Sequence, residues 1–116
     1  MAVTPKKPGI IQGTLDLLIL RTLDIGPIHG HGIVKHIRST SADVFRVEHG
    51  SLYPALQRLE KVGCISSAWE KTASGRELKL YRLTTRGRAQ LRQEASKWVE
   101  LSRAMARLLR PKARPS

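Results

Sequence analysis

Ser51, Tyr53, Gln57, Arg58 and Lys61 fall within one stretch, GSLYPALQRLEKVG, that runs from Gly50 to Gly63. They offer hydroxyl, amide, guanidinium and ammonium donors, and the one acid of the stretch, Glu60, lies at their edge. A surface rich in donors and poor in carboxylates suits a polyanion. Gln and Arg side chains read purine edges bidentately, which makes Gln57 and Arg58 candidates for base contacts. Ser51 and Tyr53 stand at the start of the stretch, where the free N–H groups and dipole of a helix favour phosphate. The competing reading of Tyr53 is a ring that simply packs against neighbouring structure. Downstream, Lys71, Arg76 and Lys79 surround the turn KTASGR and suit phosphate or the minor groove. The bland alternative for the whole stretch is an ordinary solvated helix, so the surrounding elements decide.

Other chemistries are weaker. His29, His31, His36 and His49 invite a metal site, but His29 and His31 diverge by about 200° if both lie on a helix. No cysteine and few carboxylates accompany them. Surface or capping histidines are the better reading, with no metal and no cofactor. Cys64 is the single cysteine and reads as a small buried hydrophobe. There is no Gly-rich phosphate loop, nucleophile elbow or paired acid in a recognisable setting, which argues against an enzyme.

The element that carries these donors is a helix. Leu52, Leu56 and Leu59 recur at i, i+4 and i+7, with Val62 close to the same stripe, which gives a buried face opposite the donors. Pro54 lacks an N–H and fits best in a first turn, so the helix is expected to begin near Gly50 or Ser51, or to have an irregular first turn, and to end at Gly63. Upstream, Gln12 to Asp24 is a helix that is apolar over most of its circumference, more than one small domain readily covers. Gly26 and Pro27 stop it. His29 to Ser39 is a second helix with Ile33, Val34 and Ile37 inward; Gly30 and Gly32 weaken it but allow close approach to a neighbouring helix. Ser39 to Asp43 is a loop, and Val44 to Val47 is expected to form a short strand.

After Gly63 the period changes. Ile65 to Glu70 and Glu77 to Leu83 read as strands, joined by Ser74-Gly75 in a basic turn. The order helix, helix, helix, strand, turn, strand is a winged helix. Thr84 or Thr85 then caps a long final helix that reaches about Arg110. On it Leu91, Trp98 and Met105 are seven apart, and Leu101 and Leu108 follow by three, which forms a heptad seam. Fold-back on its own domain is the competing reading of that seam. The apolar excess of the first helix favours a dimer interface formed by Leu17, Leu20, Leu91, Trp98, Leu101, Met105 and Leu108.

Composition agrees. The 116 residues include 21 Lys and Arg against 9 Asp and Glu, a net charge of +12, with 41% apolar content. This is the composition of a folded, strongly basic chain whose partner is DNA, RNA or an anionic surface. No apolar run is long enough to span a bilayer, and the N-terminus lacks a signal-peptide pattern, so a cytoplasmic location and no membrane partner are expected. The reading is mainly α with a β-hairpin wing (α+β). Residues 1–9 form a flexible basic arm, 10–83 a winged helix-turn-helix domain, 84–110 a dimerisation helix and 111–116 a disordered tail. A non-specific RNA-binding or architectural protein is the runner-up; the scarcity of aromatics for stacking unpaired bases weighs against it.

Five segments, GTLDLLILRTL (13–23), Gly26-Pro27 with His29-Gly30, GSLYPAL (50–56), RLEKVG (58–63) and YRLT (81–84) with Gly87, together resemble the PadR-family transcriptional regulators, short branch, over roughly residues 10 to 110. The resemblance implies a homodimeric winged-helix DNA-binding repressor with the first and last helices at the interface. It further implies repression that is sometimes relieved by a small hydrophobic effector bound between subunits; Trp98 is the residue to which an effector role would fall. A symmetric dimer reads a palindromic operator. One departure stands out: His31 occupies a position where the family usually has an aromatic.

Overall fold

The computed structural model describes residues 12–111. The expected basic arm and all but the first residue of the expected tail lie outside them. Four helices surround a small antiparallel sheet in the order α1 (Gln12–Ile25), β1 (Ile28–His29), α2 (Gly30–Thr40), α3 (His49–Lys61), β2 (Ile65–Lys71), β3 (Glu77–Leu83) and α4 (Thr85–Leu109). The winged-helix expectation therefore holds, with a long C-terminal helix attached.

α1 is the central helix. It packs on α2, α3, β3 and α4, and buries Leu15, Ile19, Leu20 and Leu23. Thr22 is also buried, and its hydroxyl donates to the Leu18 carbonyl at 2.8 Å, so the polar group costs nothing there. Much of the apolar circumference is thus covered within the subunit. Ile33 and Ile37 of α2 and Leu52, Ala55, Leu56 and Leu59 of α3 close the core from the other side. Each such aliphatic side chain contributes roughly 1.5–3 kcal/mol relative to exposure.

Three local devices set the frame. At the end of α3, Gly63 has φ +84°, Cys64 N–H donates to the Leu59 carbonyl at 2.9 Å and Gly63 N–H to the Glu60 carbonyl at 3.1 Å. This pair of bonds is a Schellman cap, and it turns the chain straight into β2. At the start of α4, the Thr84 hydroxyl accepts from Gly87 N–H at 3.0 Å and donates to the Gly63 carbonyl at 2.6 Å, which links the two helix ends. Gly87 itself has no room for a side chain: a Cβ there would collide with the Cys64 carbonyl.

One expectation needs correction. Val44–Val47 is not a strand. Ala42 and Asp43 are left-handed (φ 52° and 68°), and Val44 points into solvent. The free edge of β3 is taken instead by β1, with Ile28 opposite Tyr81 and His29 opposite Leu80, giving the sheet order β1-β3-β2. α3 starts at His49, next to the expected start, with Glu48 as N-cap, and its first turn is irregular, as Pro54 allows. Ser51 and Leu52 N–H both donate to the Glu48 carbonyl, a tightened first turn, and the bond Pro54 omits would have gone to the carbonyl of exposed Gly50.

Candidate DNA interface

The leucine stripe of α3 is buried, so its opposite face is presented outward: Ser51, Tyr53, Gln57 and Lys61 are all exposed. The acid in α3, Glu60, turns away and accepts a hydrogen bond from the Ser67 hydroxyl of β2 at 2.7 Å. The wing stands beside this face. Lys71 and Arg76 are exposed at its outer end, where Gly75 (φ +89°) makes the turn and Thr72 N–H bonds the Arg76 carbonyl at 2.7 Å. Among the described residues, no carboxylate pairs with Lys61, Lys71 or Arg76. The acids Asp16, Asp24, Asp43, Glu70 and Glu94 are each bonded to an arginine or lysine. Neutralisation therefore falls elsewhere and leaves α3 and the wing tip positive.

Not every expected donor points outward. Arg58 is half-buried, and its Nη2 donates to Asp16 Oδ1 of α1 at 2.6 Å. It ties the helix to the core rather than projecting with Gln57. Lys79 is also half-buried; its Nζ lies 5.7 Å from the centroid of the Tyr81 ring, so the stem runs inward along the sheet.

Tyr53 is held on two sides. Its ring stacks 6.0 Å from His49, and its hydroxyl sits where a Cβ on Gly30 would come within 2.6 Å. The close approach foreseen for the α2 glycines is thus realised at Gly30, against α3. His49 stacks in turn on His31 (5.6 Å, 10° between planes), and His31 lies 6.4 Å from His29. The expected divergence of His29 and His31 fails because His29 belongs to β1, outside the helix. Behind them Tyr81 is buried, and burial, followed by the nearby Tyr53 and Glu60, raises its hydroxyl pKa above the ordinary value of 10.0. No three His, Cys, Asp or Glu among the described residues converge as metal ligands.

The apolar seam divides. Leu20 is 1% exposed and Leu91 7%, both inside the subunit's own core, which removes them from any outward surface. Leu17 is half-buried. Trp98, Leu101, Met105 and Leu108 remain in solvent, Leu108 by 80%. Heptad spacing does not separate buried Leu91 from the exposed α4 residues that follow it. Sequence reasoning also missed Asp16, whose signal was an acid inside the otherwise apolar run LDLLIL, and the exposure of Trp69 on the wing.

Comparison with known proteins matches this geometry. Residues 19–93 match the model of the transcriptional regulator PadR-like family. A transcriptional regulator of Mycobacterium tuberculosis is 36% identical over 92 residues, which span 79% of this chain and 82% of that protein. The crystal structure of a PadR-family transcriptional regulator from Eggerthella lenta is similar at TM-score 0.69 with 33% identity, covering 87% of this chain and 86% of that one. A transcriptional regulator from Clostridium thermocellum superposes at TM-score 0.78 with 27% identity, over 93% of this chain and all of the other. No helix among the described residues is long and apolar enough to cross a membrane.

Proposed function

This chain belongs to the PadR-like family of transcriptional regulators, whose members are not enzymes, and we propose that it acts as a cytoplasmic homodimeric repressor that binds a palindromic duplex operator. The observation that carries this reading is the α3 face with its adjoining wing. Donors and unpaired cations are turned outward there, while the carboxylate of α3 is turned away.

The roles follow from position. Ser51 and Tyr53, in the first two turns of α3, hold phosphate; Tyr53 is already seated for this by Gly30 and His49. Gln57, exposed at mid-helix, reads a base edge. Arg58 acts differently from the expectation of a second base reader: through Asp16 it fixes the angle of α3. Lys61, Lys71 and Arg76 neutralise phosphates, and Lys79 supports the wing's inner face. Dimerisation falls to Trp98, Leu101, Met105 and Leu108, an exposed stripe too apolar to leave in water. A small hydrophobic effector that relieves repression enters beside Trp98 between the two subunits.

Competitive mobility-shift titration tests the reading. Duplex containing the operator should displace the protein from random duplex, and single-stranded RNA should compete poorly. Equal competition by RNA would instead make this a non-specific nucleic-acid-binding protein.

A further inference from the structure

Trp69 is 67% exposed, an unusual place for a tryptophan in a chain with two. Its neighbours are fixed by strand register. Residues directly opposite in an antiparallel pair share a face. Ile65 with Leu83, Ser67 with Tyr81, Trp69 with Lys79 and Lys71 with Glu77 therefore line one face of the wing. The base of that face is the part that leans on α3: Tyr81 is buried and the Ser67 hydroxyl bonds Glu60. Moving outward, the face runs past the edge of α3 and becomes Trp69 between Lys79 and Lys71. Glu70 points to the opposite face, where it pairs with Arg82 at 2.9 Å. The indole therefore lies on the face whose base leans on α3, beside exposed Lys71, with Glu77 directly opposite Lys71 and the Lys79 ammonium turned back over the Tyr81 ring.

We propose that Trp69 is a DNA-contacting residue whose indole packs against the deoxyribose edge of the minor groove while Lys71, beside it on the same face, reaches a phosphate. The inference rests on the duplex-binding reading above. A nucleic-acid backbone alternates anionic phosphate with apolar sugar, and the neighbouring ammonium of Lys71 and indole of Trp69 match that alternation. Apolar side chains inserted at the minor groove are a general device of DNA-binding proteins, and they add affinity that is independent of counterion release.

That independence supplies the test. Binding of a fluorescently labelled operator duplex is measured across a salt series for wild type, Trp69→Phe, Trp69→Ala and Lys71→Ala. Trp69→Ala should bind on the order of 10-fold more weakly at every salt concentration, the scale of burying a large apolar side chain, with an unchanged slope of log affinity on log salt. Trp69→Phe should fall between. Lys71→Ala should flatten the slope by roughly one unit. Thermal unfolding of Trp69→Ala should match wild type, since the indole lies outside the core. If wild type binds duplex and Trp69→Ala binds equally well, this inference fails while the duplex-binding reading stands; if wild type binds no duplex, the broader reading fails. A flattened slope in Trp69→Ala would also overturn the direct contact and make the indole a support for Lys71. Protection of the indole from acrylamide quenching that appears on raising protein concentration without DNA would assign the face to self-association instead.

Discussion

Arg58 Nη2 lies 2.6 Å from Asp16 Oδ1, so a guanidinium one position from Gln57, the proposed base reader, joins α3 to α1. The two residues are 42 apart in sequence. Both side chains are partly exposed, so the pair contributes modestly to stability, on the order of 1 kcal/mol. Its effect on binding is orientational. Arg58→Ala should weaken operator and random duplex by similar factors, whereas Gln57→Ala should cost roughly 1–3 kcal/mol on operator alone. Asp16→Asn should reproduce part of the Arg58→Ala loss, and a double-mutant cycle between the two should be non-additive. Additive losses, or a loss confined to operator in Arg58→Ala, would return Arg58 to the base edge.

Arg76 occupies the wing tip, exposed and without a carboxylate partner among the described residues. Arg76→Ala should lower affinity for any duplex and flatten the dependence of log affinity on log salt by roughly one unit, as for one lost phosphate contact. Sequence preference should survive. A salt slope identical to wild type would remove the tip from the interface.

Much of this arrangement was legible in the chain because local rules were obeyed where they act alone. The leucine period of α3, the glycine that ends it, the Thr84 cap and the basic turn of the wing each depend on residues a few positions apart, and each lies where expected. What was not legible depended on distant partners. Val44–Val47 has strand composition but follows the left-handed Ala42 and Asp43 and joins no strand of the sheet, while Ile28–His29 has too few residues to show alternation and is a strand only because β3 offers an edge. Leu91 has the same spacing as the solvent-exposed seam residues; its burial follows from the packing of α4 on the rest of the subunit, which periodicity does not contain. Trp69 was read only as a strand residue, since exposure is a property of what fails to cover it.

Gly87 tests the close contact between the start of α4 and the end of α3. A Cβ there meets backbone, the Cys64 carbonyl, which cannot rotate away as a side chain would. Gly87→Ala should destabilise the fold by about 1–3 kcal/mol despite alanine's better helix propensity. At Gly50 an added Cβ meets nothing within 4 Å, so Gly50→Ala should be neutral or slightly stabilising. Chemical denaturation of the pair gives the comparison; equal midpoints would mean that α4 can shift off the corner at no cost.

Tyr81 gives the fold an alkaline limit. Burial is the main cause of its raised pKa, so the folded state holds the phenolic proton more tightly than the unfolded chain does. A raised folded value contributes stability that is complete below the unfolded pKa of about 10 and is lost as pH rises through the folded value. Wild type should therefore lose stability above about pH 10 more steeply than Tyr81→Phe. Parallel pH profiles for the two proteins in denaturant titrations would place the alkaline loss elsewhere.

Trp98 begins the exposed seam of α4, with Leu101, Met105 and Leu108 following on the same stripe. Leu91, one heptad earlier, is already buried, so the seam passes from the subunit's own core into solvent near Trp98. At 41% exposure the indole is half-packed within the subunit and has a free side to offer. Large aromatics at the centre of interfaces often contribute about 2 kcal/mol or more to association, roughly 30-fold in the dissociation constant. Trp98→Ala should thus dissociate the dimer in the micromolar range. It should also abolish tight operator binding, because two linked half-sites bind far more strongly than one. Because Leu91 holds α4 in the buried core, the mutant subunit should stay folded, which circular dichroism can confirm. Sedimentation across a concentration series separates the outcomes. A mutant that remains dimeric and bound to operator, but no longer responds to an added planar aromatic compound, would make Trp98 an effector contact rather than the anchor of the interface.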